Sequence, residues 1–334
     1  MPVSARARPS PGAFGLVRAL MMAALSSVPL PALAQDFPLT FEHRFGTTVI
    51  PDLPERVASV DYNGADNLLA LGVQPVTVRY WFGDYPRAVW PWAEALLEGS
   101  PAILKGDLNL EQIAAARPDV IIALYSGITP EEYAKLSQIA PVVAVPEGVG
   151  DYELGWQEQA LIAGRAIGQE AEAKAQVAAL AARLDAIAAA HPGWAGKTVT
   201  LGTVWDGGPH VYTTGDPRVK LLNQMGLANN SAVEALSTPG SFSVALSAEQ
   251  PEPFDSDLLL WFADEGVPPI ESLAFRPMLP AVTEGREVFL GPIVTSALSH
   301  TSLLSLPYAF DALEPRVADA LDGDGIAPHL RVTD

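Results

Sequence analysis

The sequence predicts an α/β protein made of two related lobes, each with a parallel sheet, that are joined by one long helix. Strand-like apolar runs alternate with helical segments on both sides of the chain's middle, which is typical of parallel sheets. A short pattern of residues occurs twice, once in each half. Between the halves, the stretch from Leu154 to about Ala190 is rich in helix-forming residues and contains no proline.

The repeated pattern is a turn of helix followed by a buried strand. It reads "NLEQIAAARPDVII" at residues 109–122 and "LSAEQPEPFDSDLLL" at residues 246–260. In both copies a Glu-Gln pair precedes an aspartate, Asp119 or Asp257, that opens an apolar run suited to a strand buried on both faces. The pattern indicates an internal duplication, although a chance match of a few letters is the alternative.

A second pair of similar segments precedes the two copies of this pattern. "LLALGV", residues 68–73, is similar to "LNQMGL", residues 222–227. Gly72 and Gly226 are predicted to end a helix in each lobe as left-handed caps, a conformation that glycine adopts without a steric penalty.

Residues 1–34 are predicted to be a secretory signal peptide. Three arginines give a basic start, "ALMMAALSSVPL" is a short apolar core, and Ala32-Leu33-Ala34 fits a cleavage site. The apolar core is too short to span a membrane. No other segment has 18 uninterrupted apolar residues, so we expect the mature protein to be soluble.

Charge and cysteine content exclude several classes of protein. A formal net charge of −19 repels nucleic acid and anionic lipid surfaces. The absence of cysteine excludes disulfides, thiolate metal sites and a lipid-anchoring cysteine after the signal. The simplest interpretation is a soluble periplasmic protein of a Gram-negative bacterium without a lipid anchor.

The order of predicted elements divides the mature chain into four parts. These are an N-terminal lobe at residues 37–152, a linking helix at 153–192, a C-terminal lobe at 193–321 and a flexible tail at 322–334. A helix that joins two sheet domains is a stiff connection, so we expect only small movements between the lobes.

The motifs of nucleotide, metal and catalytic sites are incomplete. Residues 196–198 read GKT as in a phosphate loop, but position 191 is not glycine and the segment precedes a strand. The acidic stretch at 322–325 lacks the later ligands of a calcium loop. The five histidines are scattered without helical pairing, and there is no G-x-S-x-G motif. The sequence therefore predicts no resident metal or cofactor and no enzymatic activity.

Aromatic and polar residues cluster at the predicted carboxyl ends of strands, where ligands of alternating α/β sheets bind. The residues that we predict to line a cleft between the lobes on this ground are Tyr62, Arg79, Trp81, Lys105, Tyr125, Trp205 and Trp261. Arg218 is a further candidate cation. Such a cleft suits a flat or bulky anionic ligand better than a sugar or an amino acid.

Glu111 and Glu249 occupy matching positions in the two lobes. Helix capping is an adequate local explanation, since a carboxylate is favourable at a helix N-terminus. Capping does not explain why the glutamate recurs in each lobe. A symmetric partner protein with two basic pockets would explain it.

The chain resembles the periplasmic substrate-binding proteins of ABC importers for ferric siderophores, a family that also includes a vitamin B12 binder. The resemblance covers nearly all of the mature chain. Besides the repeated segments, it rests on "PERVASVDYNGADNLLALGVQPVTV", "YAKLSQIAPVVA", "GRAIGQEAEA", "AVTEGREVFLG" and "ALSHTSLLSLPYAFDAL".

This resemblance implies two Rossmann-like lobes joined by a long helix, the class III arrangement, with a ferric siderophore in a shallow cleft. The ligand carries its own chelated Fe3+, so no cofactor is implied. Glu111 and Glu249 would dock onto arginines of a dimeric inner-membrane permease that works with an ATPase. Motif positions that contact the chelate in hydroxamate binders hold Lys105 and Tyr125 here. Lysine instead of arginine at position 105 loses bidentate geometry.

The sequence leaves open other ligands and two other classes of protein, a secreted hydrolase and a structural or scaffold protein that binds no small molecule. The same fold could carry haem, cobalamin or ferric citrate, and Tyr125 and His300 are weak candidates for a haem axial ligand. A secreted two-lobed hydrolase is a distant alternative. The free protein is expected to be a monomer in the periplasm.

Overall fold

The computed structural model describes residues 35–263, 266–323 and 330–332. The predicted signal peptide lies outside the described residues. Within the part of the chain that is described, no helix combines the length and the apolar character needed to cross a bilayer.

Strands and helices alternate along most of the chain. The strands are β1 Leu39–His43, β2 Gly46–Ile50, β3 Val57–Ser59, β4 Pro75–Arg79, β5 Ala102–Leu104, β6 Val120–Ala123, β7 Val142–Ala144, β8 Thr198–Trp205, β9 Gly208–Tyr212, β10 Ala228–Asn229, β11 Ser243–Ala245, β12 Leu258–Phe262, β13 Glu287–Leu290 and β14 Leu330–Val332. The α-helices are α1 Asp66–Ala70, α2 Pro91–Glu94, α3 Leu110–Ala115, α4 Pro130–Leu136, α5 Trp156–Ala166, α6 Glu170–Ala190, α7 Pro217–Gln224, α8 Ser231–Leu236, α9 Pro268–Glu271, α10 Pro280–Thr283, α11 Pro292–His300 and α12 Ser305–Asp322.

The N-terminal lobe contains the parallel sheet that the sequence predicts. Its five strands run in the order β5-β4-β3-β6-β7, and every neighbouring pair is parallel. The strands alternate with helices, so their carboxyl ends meet at one edge. An antiparallel hairpin of β1 and β2 precedes this sheet.

The C-terminal lobe contains a mixed sheet in the order β11-β9-β8-β12-β13-β14, with β10 also paired to β8. The pairs formed by β8, β10, β12, β13 and β14 are parallel, whereas β9 and β11 run antiparallel. The hairpin of β8 and β9 turns through Asp206-Gly207, with the left-handed conformation at both positions that tight hairpins need. Part of the tail predicted to be flexible is β14, which pairs with β13.

The aspartates of the two repeated segments make equivalent hydrogen bonds in the two lobes. Asp119 accepts hydrogen bonds from the backbone N–H groups of Glu55 and Arg56, directly before β3, at 2.9 and 3.0 Å. Asp257 accepts the N–H of Thr198, the first residue of β8, at 2.8 Å. Each aspartate thus ties its own strand to the first strand, in chain order, of the main sheet of its lobe.

The second pair of similar segments, around Gly72 and Gly226, has the predicted backbone conformation. Gly72 and Gly226 follow α1 and α7 with φ of 75° and 103°. The residue after each glycine donates its N–H back to the helix, Val73 to Leu68 at 2.9 Å and Leu227 to the carbonyl of Leu222 at 3.3 Å. Both glycines therefore cap a helix as predicted.

The segment between the lobes is helical but interrupted. The sequence predicts one uninterrupted helix between Leu154 and about Ala190, whereas the structure has the 11-residue α5 and the 21-residue α6. The break falls at Gly168, whose φ of 73° lies outside the helical region. The 21-residue helix is the long helix of the predicted architecture, and α5 packs against α1 of the N-terminal lobe.

Packing between α5 and α6 requires a residue without a side chain at position 164. A Cβ on Gly164 would collide with the Cβ of Ala173 and lie 3.2 Å from the carbonyl oxygen of Gln169. We expect Gly164→Ala to lower the free energy of unfolding by about 1–3 kcal/mol, the usual range for overpacking. Urea denaturation measures this change.

Gly208→Ala is the matched control, because a Cβ there meets nothing within 4 Å. Equal unfolding midpoints for the two variants would contradict the close approach of α5 and α6.

Candidate inter-lobe binding site

The carboxyl edges of both sheets lie beside the end of α11 and the residues that follow it, 299–303. From the N-terminal lobe, the hydroxyl of Tyr125 donates to the carbonyl oxygen of Ser299 at 3.4 Å, and the ring of Trp81 lies 5.4 Å from that of His300. From the C-terminal lobe, Arg218 donates to the hydroxyl of Ser299 at 3.2 Å. Predicted residues of both lobes therefore come together here.

Three predicted residues of the N-terminal lobe form one wall of the candidate site. The guanidinium of Arg79 lies 3.9 Å from the ring centroid of Tyr62 and donates to its hydroxyl at 2.8 Å. Arg79 also donates to the carbonyl oxygens of Val60 and Ser126. Trp81 packs against Tyr62 at 5.7 Å. Arg79 is 7 % exposed, so its main effect is to orient Tyr62.

Tyr125 continues this wall and contacts a residue that the sequence did not indicate, Tyr152. Their rings are 5.2 Å apart, and Tyr152 also lies 6.0 Å from Tyr62. Burial raises the pKa of both hydroxyls, so both stay protonated and can donate hydrogen bonds. Tyr152 has φ of 65°, a strained conformation for a bulky residue and a common feature of ligand sites.

The opposite wall is built around Arg218, at the start of α7. The side chain of Asp216 caps α7 by accepting the N–H of Arg218 at 2.8 Å, and it also forms a two-pronged ion pair with the guanidinium at 2.8 and 2.6 Å. Burial alone would lower the pKa of Arg218, but the carboxylate beside it raises that pKa above its usual value. The guanidinium lies 4.0 Å from the ring of Tyr212 and 5.3 Å from that of Phe262.

An aromatic cage surrounds His300. Its members are Trp81, Phe82, Trp90 and Trp92, with ring centroids 5.2–6.0 Å from the imidazole. The Nδ1 of His300 donates to the carbonyl oxygen of Ser296 at 2.8 Å, and burial lowers its pKa to about 4. At neutral pH His300 is thus an uncharged packing residue.

Polar side chains of α1 and the loop before it hold the C-terminal lobe in place. Asp66 accepts hydrogen bonds from the hydroxyl of Ser302 and the indole N–H of Trp92, both at 2.7 Å. Asn67 accepts the backbone N–H of Leu303 at 3.0 Å. Burial raises the pKa of Asp66 to about 7, against the effect of its two donors. The bonds of Asp66 to Ser302 and of Asn67 to Leu303 join residues 236 positions apart and tie α1 to the segment that follows α11.

The apolar core is also continuous between the lobes. One buried cluster includes residues of both sheets and of α5, α6, α11 and α12. The described residues of both lobes accordingly belong to one compact unit.

Three predicted ligand residues do not lie in the walls described above. Trp261 is fully buried, stacks on Phe254 at 5.1 Å and donates to Glu287 at 2.8 Å, so its prediction as a ligand contact is wrong. Side chains alternate along a strand, and the neighbouring Phe262 is the one that faces Arg218. Trp205 stands 54 % exposed at the tip of the β8–β9 hairpin. Lys105 is exposed, with its amine 4.9 Å from the ring of Tyr80.

Glu111 and Glu249 are both exposed and follow similar capping turns. Asn109 accepts the N–H of Gln112 at 3.0 Å at the start of α3. Ser247 accepts the N–H of Glu249 at 3.0 Å in a turn before a 3-10 helix at 252–254. The turns precede β6 and β12, the strands that pair with β3 and β8. Each glutamate therefore lies in the segment before the strand that pairs with the first strand of its main sheet.

No group of three or more histidine or acidic side chains suited to a metal ion occurs among the residues that the structure describes. The chemistry available here is aromatic stacking and hydrogen bonding by tyrosine hydroxyls, beside two guanidinium groups that the protein's own acceptors hold.

Residues 57–292 match the family model of periplasmic binding proteins. The chain belongs to this family. Its two-lobed fold, with parallel sheets and helices, is the class III fold of these proteins, as the sequence predicts.

Known relatives and solved structures are consistent with this assignment. The chain is 26% identical over 233 residues to a probable siderophore-binding lipoprotein of Bacillus subtilis. The match covers 67% of this chain and 68% of the relative. It is also 26% identical over 214 residues to the Fe(3+) dicitrate-binding periplasmic protein FecB of Escherichia coli, covering 63% of this chain and 68% of FecB.

Among solved structures, a periplasmic solute-binding protein from Mycobacterium smegmatis is similar with a TM-score of 0.73 and 33% identity, over 86% of this chain and 100% of that one. PiaA of Streptococcus pneumoniae in complex with ferrichrome has a TM-score of 0.73 and 27% identity, over 85% of this chain and 99% of PiaA.

Proposed function

We propose that this protein binds a ferric siderophore between its lobes and delivers it to an inner-membrane ABC permease. The observation that carries the proposal is that the aromatic rings of Tyr62, Trp81, Tyr125, Tyr152 and Tyr212 gather where residues of the two lobes meet. A ferric siderophore arrives with its iron already coordinated, so the protein needs ring faces and hydrogen-bond donors instead of metal ligands. The similarity to siderophore-binding relatives supports the same ligand class.

Glu111 and Glu249 are proposed to dock onto the two subunits of a dimeric permease. Their support is the equivalent and exposed position of each glutamate on its lobe. Arginine pockets on a permease would pair with such carboxylates through charge-assisted hydrogen bonds. The protein would act in the periplasm as a monomer without a lipid anchor, with a separate subunit hydrolysing ATP.

Ferric citrate is the second candidate cargo, which the similarity to FecB favours, and cobalamin is a further alternative. Haem fits less well, because both candidate axial ligands are engaged within the protein. His300 is 2 % exposed inside its aromatic cage, and the hydroxyl of Tyr125 is bonded to Ser299.

Intrinsic fluorescence titration of the mature protein tests the proposal, because Trp81 lies in the cleft wall. The titrated compounds are a ferric hydroxamate, a ferric catecholate, ferric citrate, haem and cobalamin, with iron-free siderophores as controls. We expect saturable quenching by a ferric chelate at submicromolar concentration and weaker binding of its iron-free form. No saturable response to any ferric chelate would overturn the proposed function.

A further inference from the structure

The cations of the cleft are already paired or enclosed by the protein. The guanidinium of Arg218 is held by both oxygens of Asp216, whose side chain is 2 % exposed. Two oppositely charged groups in such close contact largely cancel each other for a ligand farther away. Arg218 therefore offers an aromatic-stacked planar surface and little net positive charge.

The guanidinium of Arg79 is also unavailable for pairing with an anionic ligand. Its terminal nitrogens donate to the carbonyl oxygens of Val60 and Ser126 and to the hydroxyl of Tyr62. Its Nε is buried, so a molecule in the cleft cannot reach it. Asp61 lies nearby and interacts electrostatically with Arg79. Burial raises the pKa of Asp61 to about 7, and the charged form of this carboxyl offsets part of the arginine charge.

Exposed charged residues outside the two walls do not provide a net attraction for an anionic ligand. Lys105 is exposed on the N-terminal lobe, but Asp206 is exposed beside Trp205 on the opposite hairpin. The whole chain carries a formal net charge of −19. A multiply charged anion that approaches this surface is repelled at long range and finds no unpaired cation in the two walls of the cleft that the structure describes.

We propose that the cleft selects ferric chelates of little or no net charge over multiply anionic ones. This rests on the proposed function and narrows its ligand class. In a ferric trihydroxamate three singly charged oxygen donors cancel the charge of Fe3+, whereas a ferric tris-catecholate retains three negative charges. The ring faces of Tyr62, Trp81 and Tyr212 suit the amphipathic surface of the uncharged chelate. This differs from the anionic ligand that the arginines suggest in the sequence alone.

Asp216→Asn tests the inference, because it removes the charge that neutralises Arg218. Asparagine retains a side-chain oxygen for the N-cap of α7. The Kd values of a ferric trihydroxamate and a ferric tris-catecholate are measured for wild type and variant. We expect the wild type to bind the trihydroxamate at least about tenfold more tightly, and the variant to shift that ratio at least about tenfold toward the catecholate.

Asp185→Asn is the matched control, since it makes the same change in net charge at an exposed position of α6. Its ratio of affinities should equal that of the wild type. A measurement on the wild-type protein alone keeps the inference testable if Asp216→Asn does not fold. The wild-type Kd for the trihydroxamate should change less than about twofold between about 0.02 M and about 0.5 M salt, as expected for an uncharged ligand.

The outcomes separate the inference from the function on which it rests. Equal or tighter wild-type binding of the tris-catecholate overturns the charge selection and leaves siderophore binding intact. An unchanged ratio in correctly folded Asp216→Asn also overturns it, because Arg218 would then not be masked by its partner. Failure of every ferric chelate to bind overturns the proposed function itself.

Discussion

Replacing Glu111 and Glu249 together with arginine is expected to abolish uptake of the ferric ligand while its affinity for the isolated protein stays within about twofold of wild type. Both carboxylates are exposed at equivalent positions and lie outside the described cleft walls. Reversal places like charges opposite the proposed permease arginines, which costs several kcal/mol at an interface. Uptake of radioactive iron by cells carrying the importer measures the first effect, and fluorescence titration the second.

A variant with Glu98→Arg and Asp185→Arg is the control, since it reverses two exposed charges outside the proposed docking sites. It should transport at close to the wild-type rate. Normal uptake by the docking variant would remove the proposed role of the two glutamates. Loss of ligand affinity in that variant would place them in the binding site instead.

Glu287→Ala is expected to lower the free energy of unfolding by about 3–5 kcal/mol, the usual cost of leaving one partner of a buried ion pair alone. Glu287 accepts hydrogen bonds from Nε of Arg276 at 2.8 Å, from its Nη2 at 2.5 Å and from the indole of Trp261 at 2.8 Å. The two charged side chains are 9 % and 1 % exposed. Guanidinium denaturation measures the loss.

Replacing both partners separates the charge effect from packing. Arg276→Met with Glu287→Leu removes the unpaired charge and fills a similar volume, so it should recover most of the stability lost in Glu287→Ala. A loss below about 1 kcal/mol in the single variant would show that water reaches the unpaired arginine.

The sequence predicts those features that depend on neighbouring residues in the chain. Strands of apolar residues and the glycine caps at 72 and 226 are local, and the structure confirms them. The hairpin of β8 and β9 also has a local sequence signal, Asp206-Gly207-Gly208, which is typical of a tight turn. An isolated Gly168 similarly marked the interruption between α5 and α6.

Much of the candidate site depends on contacts between distant segments. Tyr152 enters the cleft from a loop after β7, and Tyr212 from the antiparallel strand β9, so strand-end reasoning on a parallel sheet finds neither. Trp261 was misplaced because both faces of β12 are apolar, and only the sheet's packing shows that Phe262 faces the cleft. The pairing of Arg218 with Asp216, two residues earlier in the chain, could have been suspected from sequence, but its effect on ligand charge could not.

The most direct test of the account is a crystal structure with the tightest-binding ferric chelate, in which anomalous scattering locates the iron. We predict one iron between the lobes, coordinated only by the siderophore, with the chelate in contact with Tyr62, Trp81 and Tyr212. Iron coordinated by protein side chains, or located outside the cleft, would contradict the account.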